Sequence, residues 1–340
     1  MIFVRIASIL FLATATLFLT PETAIAVEID DITGYYTPLK DANEVLNAQI
    51  EKTFQKAIED TKSCDPKELI INTKALLRPK GLIAKIFGGG LEEFAIGSKD
   101  IEKYKPELDT SVYRDTPYSR SYIANGAQII RIATVYPSIR LNGQIMGVDK
   151  LSHFFETGME LFQEHLNPEI LAKNGRETQI AALVAHAIEL EETNLGWTIT
   201  GIKSYGDIHA HLQGAFFWAQ YFKQNGQWLS CENNKFKLKK KFDLGLYAQV
   251  GWSEAVQCNE YVPKAEQTYL EKFFNKNSKS FEEEVLVNIE ALEKKYSRRY
   301  HCPIDPAACG QSLAYLKKTL PFLTPEQVRA VTSPACREME

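Results

Sequence analysis

Tyr205-Gly206-Asp207-Ile208-His209-Ala210-His211-Leu212-Gln213-Gly214-Ala215-Phe216-Phe217-Trp218-Ala219-Gln220-Tyr221-Phe222 is the stretch that decides the fold. It holds no proline, and its apolar residues recur at helical spacing, which predicts a helix over 205–222. At about 100° per residue, Asp207, His211, Gly214 and Trp218 share a side with Ala215, Tyr221 and Phe222. His209, Gln213 and Gln220 form a narrow polar stripe opposite. An Asp and a His one turn apart therefore point inward, which is costly unless they are paired, hydrogen-bonded or bound to a metal. A hydrogen bond from Asp207 to His211 or to backbone, including a helix cap after Ser204, answers that cost. A metal site answers it equally.

Two neighbouring segments have the same helical character. From Thr178 to Thr193 the apolar stripe is Ile180, Leu183, Val184, Ala187 and Ile188, and Glu191 falls within it, whereas His186, Glu189 and Glu192 spread over a solvent-facing arc. From Lys150 to Leu166 the apolar face is Leu151, Phe154, Phe155, Gly158, Met159 and Phe162. Asp149 and His153 repeat the Asp-x-x-x-His spacing, but they lie on the other side with Glu156 and Glu160. As a surface helix this segment would use Asp149 as its cap and leave His153 in water. With both faces covered, its first turn would join the same polar cluster. Carboxylates and imidazoles at i and i+4 on facing helices converge on one metal ion, so Asp149, His153, Asp207 and His211 are ligand candidates. Glu191 is then a further ligand or the catalytic base that activates water, and the ion is a divalent metal such as zinc, manganese or iron.

The remaining chain reads as mainly α: a helical bundle with one or two small β-hairpins and a disulfide-stapled C-terminal region. Residues 41–60 and 69–77 are amphipathic helices. Gly88-Gly89-Gly90 is a connection and not a phosphate-cradling loop, because no Gly-Lys-Ser/Thr follows. Asn142-Gly143 between alternating residues 138–146 signals a hairpin. The run Lys235-Phe236-Lys237-Leu238-Lys239-Lys240-Lys241-Phe242 suits an exposed strand with lysines outward, or a patch for an anionic envelope surface. A charged helix follows over 280–298. The divisions are 1–26, 27–137, 138–225 and 226–340, the last packed on the same core.

Composition bounds the function. The 340 residues carry 39 Lys+Arg against 43 Asp+Glu, with 45% hydrophobic and 24% charged residues. That excludes a disordered or collagenous chain, and the formal charge of −4 gives no general attraction to nucleic acid. Arg5, an apolar run of 14 residues from Ile6 to Leu19, and Ala24-Ile25-Ala26 have the layout of a secretory leader cut after Ala26. The run is shorter than the ~20 residues that span a bilayer, and nothing after it reaches spanning length. A periplasmic or secreted protein is expected, in a compartment that permits disulfides. Six cysteines allow 15 pairings. Proximity favours Cys302 with Cys309 and Cys231 with Cys258, and thiolate metal binding is disfavoured because there is no CxxC.

The order Asp149-Lys150-x-x-His153-Phe154, then a glutamate near the end of the next helix, then Ser204-Tyr205-x-Asp207-Ile208-x-Ala210-x-x-x-Gly214, resembles the core pattern of the VanZ-like and YfiM-like bacterial envelope families. The resemblance covers residues 149–218. The chain departs from it at His211, where those families often carry Asn. It implies a shared helical core and a bacterial cell-envelope setting, and no reaction. Two functions follow: a helical binding or structural module built around a buried Asp/His/Glu cluster, with an envelope lipid or glycan as partner, or a metal-dependent hydrolase of an envelope lipid, glycan or peptide. No Gly-x-Ser-x-Gly elbow is present.

Overall fold

The structure is a computed structural model that describes residues 29–77, 90–107, 110–111, 122–125, 128–131, 135–193, 196, 202–223, 225–261 and 306–337. The expected leader, the charged segment 280–298 and Cys302 lie outside them. The chain is mainly α, as its periodicity predicts. Short helix α1 (Asp31–Gly34) precedes α2 (Asn43–Asp60), α3 (Pro66–Leu77) and α4 (Gly90–Gly97). Two hairpins follow, β1 (Tyr122–Asn125) with β2 (Gln128–Arg131) and β3 (Ser138–Leu141) with β4 (Gln144–Gly147). The second turns at Asn142 and Gly143, both with positive φ (48° and 80°), as a tight hairpin of right-handed twist requires.

Helix α5 spans 150–166 and changes pitch along its length. Lys150–Ser152 and Gly158–Leu161 are α-helical, while His153–Thr157 and Phe162–Leu166 are π-helical, with wider turns. After α6 (Pro168–Asn174) come α7 (Arg176–Glu192), β5 (Ile202–Lys203) and α8 (Tyr205–Tyr221). Hairpin β6 (Leu229–Glu232) with β7 (Lys235–Leu238) and the short α9 (Glu254–Gln257) lead to β8 (Glu260–Tyr261), which pairs antiparallel with β5. The C-terminal part is α10 (Pro306–Thr319), α11 (Pro325–Ala330) and α12 (Pro334–Arg337).

Helices α5 and α8 are the centre. Their contacts rise in register together: His153 meets His211, Trp218 Nε1 donates to Phe155 O at 2.9 Å, and Phe162 stacks on Phe222. The two helices therefore run parallel. Gly158 and Gly214 let their backbones touch. A Cβ on Gly158 would stand 2.7 Å from Gly214 Cα, and one on Gly214 would stand 2.0 Å from Phe154 O. Around this seam Phe54, Phe155, Phe217, Trp218, Tyr221 and Phe242 pack ring against ring in one hydrophobic core that also takes in residues of α2, α3, α7 and α10.

Two expectations are corrected. The polar stripe of 205–222 is not solvent-facing along its length. His209 and Gln213 are buried, and only Gln220 is exposed. The 250–252 turn and the C-terminal helices cover that side: His209 Nε2 bonds Val331 O at 2.9 Å, and Trp252 Nε1 donates to Gln213 Oε1 at 2.7 Å. The favoured cysteine pairings are also overturned. Cys231 pairs with Cys64, and Cys309 with Cys336; Cys258 is disulfide-bonded as well. Sequence proximity misled because the β6–β7 hairpin folds back onto the α2–α3 corner, where Lys235 Nζ donates to Thr61 O at 3.1 Å. Lys235 and Lys237 point outward on β7 around buried Phe236, and Lys237 Nζ pairs with Glu232 at 2.6 Å, so these lysines have local partners. Among the described residues, no helix is long and apolar enough to cross a membrane.

Candidate metal centre

Asp149, His153, Glu191, Asp207 and His211 are brought together where the first turns of α5 and α8 meet the last turn of α7. The parallel seam sets His153 against His211, with Nδ1 and Nε2 2.7 Å apart. His153 Nε2 faces Asp207 Oδ2 at 3.3 Å and Asp149 Oδ2 at 3.8 Å. Ligand atoms of His153, Glu191 and His211 lie within 4.8 Å of one another, as do those of Asp149, His153 and Asp207. His153 belongs to both triads. Glu191 is buried, as the apolar stripe of its helix predicts, and its Oε2 accepts from the Ser204 backbone N–H at 3.4 Å. Ser204 is the N-cap of α8, its Oγ accepting from Asp207 N at 3.2 Å. The α5 start is covered on both faces, so Asp149 is buried and His153, with a small part of its side chain exposed, joins the cluster.

Asp207 lies beside the Lys150 ammonium and 3.3 Å from His153 Nε2, so its carboxylate favours the His153 tautomer with the proton on Nε2. In that tautomer the lone pair of His153 is on Nδ1, which faces His211 Nε2 at 2.7 Å. His211 Nδ1 is buried with no hydrogen-bond partner. Burial, and secondly the neighbouring His153, hold His211 well below the ordinary histidine range; burial also lowers His153. Both rings are neutral at physiological pH, the state in which imidazole ligates a metal.

Sequence reading missed the cation in the centre. Lys150 is fully buried, with Nζ 2.5 Å from Asp207 Oδ1, 2.7 Å from Glu254 Oε1 and 3.1 Å from Asp149 Oδ2. Burial opposes its charge, but Asp149, Asp207 and Glu254 outweigh burial and raise it well above the ordinary lysine value. Burial pushes Asp207 upward, yet His153 and Lys150 prevail and it titrates below its usual value. Asp149 goes the other way: burial raises it well above a normal carboxyl despite Lys150. Glu254 opens α9, where its own N–H and that of Ala255 donate to Asp31 at 2.9 and 3.1 Å. A lysine within an Asp-Lys dipeptide and a glutamate far along the chain carry no periodic signal, so only the tertiary fold brings them in.

Comparison with protein-family models, with curated proteins and with solved structures finds no match for this chain. The geometry of the cluster therefore bears the functional argument. His153, His211 and Glu191 are a two-histidine, one-carboxylate set of the kind that holds zinc or iron with a coordination position left open. Asp207 on the far nitrogen of His153 is the outer carboxylate that orients and strengthens such a ligand, and Lys150 holds that carboxylate in turn. Around one zinc ion, with bonds of ~2.0–2.1 Å, two ligand nitrogens stand about 3.3 Å apart. An ion held by both rings would take the place of the proton between them and would need a wider gap than the present 2.7 Å. The discounted trio of His186, Glu189 and Glu192 is not assembled: Glu192 pairs with Lys203 at 2.6 Å, and His186 lies beside His165.

Proposed function

We propose that this is an exported cell-envelope protein of the helical binding type, whose buried centre takes up one divalent transition-metal ion on His153, His211 and Glu191. The observation that carries the reading is the chain Asp207, His153, His211: a neutral imidazole pair whose ring nitrogens gather with a buried carboxylate within 4.8 Å of one another. Zinc, manganese and iron all suit such donors, and imidazole weights the choice toward zinc or iron. Asp149 and Asp207 serve as outer partners of the site, not as direct ligands beside His153 and His211. The envelope setting is supported by the leader-like first 26 residues, by the disulfides and by the resemblance of 149–218 to the VanZ-like and YfiM-like pattern. The ligand in that setting is an envelope lipid or glycan whose polar head reaches the ion.

Metal analysis of the purified chain, loaded in turn with zinc, manganese and iron(II), tests the site. One tightly held equivalent, lost in His211→Ala and in the less intrusive His153→Gln, is the expected result. A wild-type protein that retains no metal at this centre under any loading overturns it.

A hydrolase acting on the same lipid, glycan or peptide is the second reading, favoured by one observation. His153 is the member of the triad that keeps contact with solvent, with 15% of its side chain exposed. An ion held by three protein groups at such an edge has room for a water, which it would activate as a nucleophile. Glu191 acts in that case as a ligand or as the base.

A further inference from the structure

A second group of the same composition lies at the surface, on the second π-helical segment of α5. His165 Nε2 and His186 Nδ1 are 3.0 Å apart, and Glu164 Oε2 is 3.2 Å from the same His186 Nδ1. The three ligand atoms lie within 4.8 Å of one another. A neutral His186 has at most one proton on Nδ1 to share between His165 and Glu164, so lone pairs are left facing one point. The group is accessible: the His186 side chain is 31% exposed and that of Glu164 57%. Its supports are internal. The side chain of Gln179, itself buried on α7, lies beside the His165 ring, the position of an outer-shell partner in metal sites.

The two π-helical segments give the groups a common origin. His153 opens the first, and Glu164 and His165 lie within the second. A widened turn rotates consecutive side chains away from their α-helical directions, and such segments recur at functional sites. Here it brings Glu164 and His165 to the same neighbour on α7.

We propose that Glu164, His165 and His186 form a second, solvent-accessible site for a divalent ion of the zinc, copper or nickel class. Two imidazoles and one carboxylate select such borderline ions over magnesium and calcium, which take all-oxygen sets. Water completes the coordination. The site shares no ligand with the buried centre and does not depend on it.

The test is a zinc titration of the full, disulfide-intact, tag-free chain, followed by the imidazole nitrogen resonances of its histidines and by metal content after desalting. The His165 and His186 resonances are expected to shift together and saturate, while a His165→Gln/His186→Gln variant binds one equivalent fewer than the wild type. If the buried centre also binds, the counts are two and one; if it does not, they are one and none, so the two readings fail separately. Glu164→Gln leaves both rings in place and is expected to weaken binding without abolishing it. His165 and His186 resonances that stay still up to millimolar zinc overturn the proposal. So does a double variant with the wild-type zinc count.

Discussion

His153 and His211 face each other nitrogen to nitrogen at 2.7 Å, across a helix seam where Gly158 and Gly214 let the backbones touch. Neither ring is placed by its own helix alone. The parallel crossing of α5 and α8 decides the distance, and Asp207, 3.3 Å from His153 Nε2, favours the proton on that nitrogen. The first prediction concerns that last step. Asp207→Asn keeps the shape but replaces the charged acceptor of His153 Nε2–H by an amide, and outer-shell losses of this kind cost about 10–100-fold in metal affinity. Competition against a chelator of known strength measures it. Unchanged affinity would remove Asp207 from the site.

Gly214→Ala should separate the two helices. The added methyl would stand 2.0 Å from the Phe154 carbonyl oxygen, a backbone atom that cannot rotate away. The gain in helix propensity, about 1 kcal/mol, is outweighed by overpacking of about 1–3 kcal/mol or more. Thermal unfolding should show a lower Tm, and any metal retained at the buried centre should be lost with it. A Tm at or above that of the wild type would show that the seam gives way without cost.

Periodicity found the helices around 43–60, 66–77, 150–166, 176–192 and 205–221 and the inward face of Glu191, and the Asn142-Gly143 pair found its hairpin, because each is a local property of the chain; the pattern did not reveal α10. It misjudged His209 and Gln213 for an equally physical reason. A wheel assumes one wet side, and α8 has none until its last turn. Lys150 shows the other limit. Nothing local marks a lysine as fully buried when the groups that stabilise it include Asp207 and Glu254, residues distant in sequence. The disulfides fail similarly, since Cys64 and Cys231 are separated by 167 positions and joined only by the folding of a hairpin onto a helix corner.

Asp243 supplies a pH dependence. Its Oδ1 accepts from Asn43 Nδ2 and Asn47 Nδ2, both at 3.1 Å, and from the Gly245 N–H at 3.0 Å. Burial alone would raise it, but these donors prevail and its carboxyl titrates below 3.8. A depressed carboxyl stabilises the fold above its unfolded value and loses that contribution as pH falls through the folded one. Asp243 is partly exposed, so the effect is about 1 kcal/mol. Urea unfolding of wild type and Asp243→Asn should differ by this amount near neutrality, and the two should converge as the pH falls through the folded value of the carboxyl. A difference that stays constant down to that pH would show the carboxylate charge to be immaterial.

Lys150→Met removes the ammonium from Asp149, Asp207 and Glu254 while roughly keeping the length of the side chain. Breaking one side of a buried ion cluster leaves uncompensated charge, and such losses run to about 3–5 kcal/mol. The cost has two sources that a double variant separates. If most of it is the stranded charge of Glu254, then Lys150→Met/Glu254→Gln should regain much of the stability, because Gln can accept from Asn259 Nδ2 with its one oxygen and donate its amide to Ser204 Oγ, the groups that now meet the two Glu254 oxygens at 2.6 and 3.1 Å. If most of it is the loss of order around Asp207, the double variant should be no better than the single one. Its metal affinity should then fall as in Asp207→Asn, since Lys150 holds the carboxylate that orients His153. Equilibrium unfolding of the four proteins in the cycle, with zinc affinity measured on each, assigns the ammonium to the fold, to the site, or to both. A Lys150→Met protein as stable as wild type would show that the buried charges neutralise themselves by protonation, with Asp149, already raised well above its usual value, the first to take the proton.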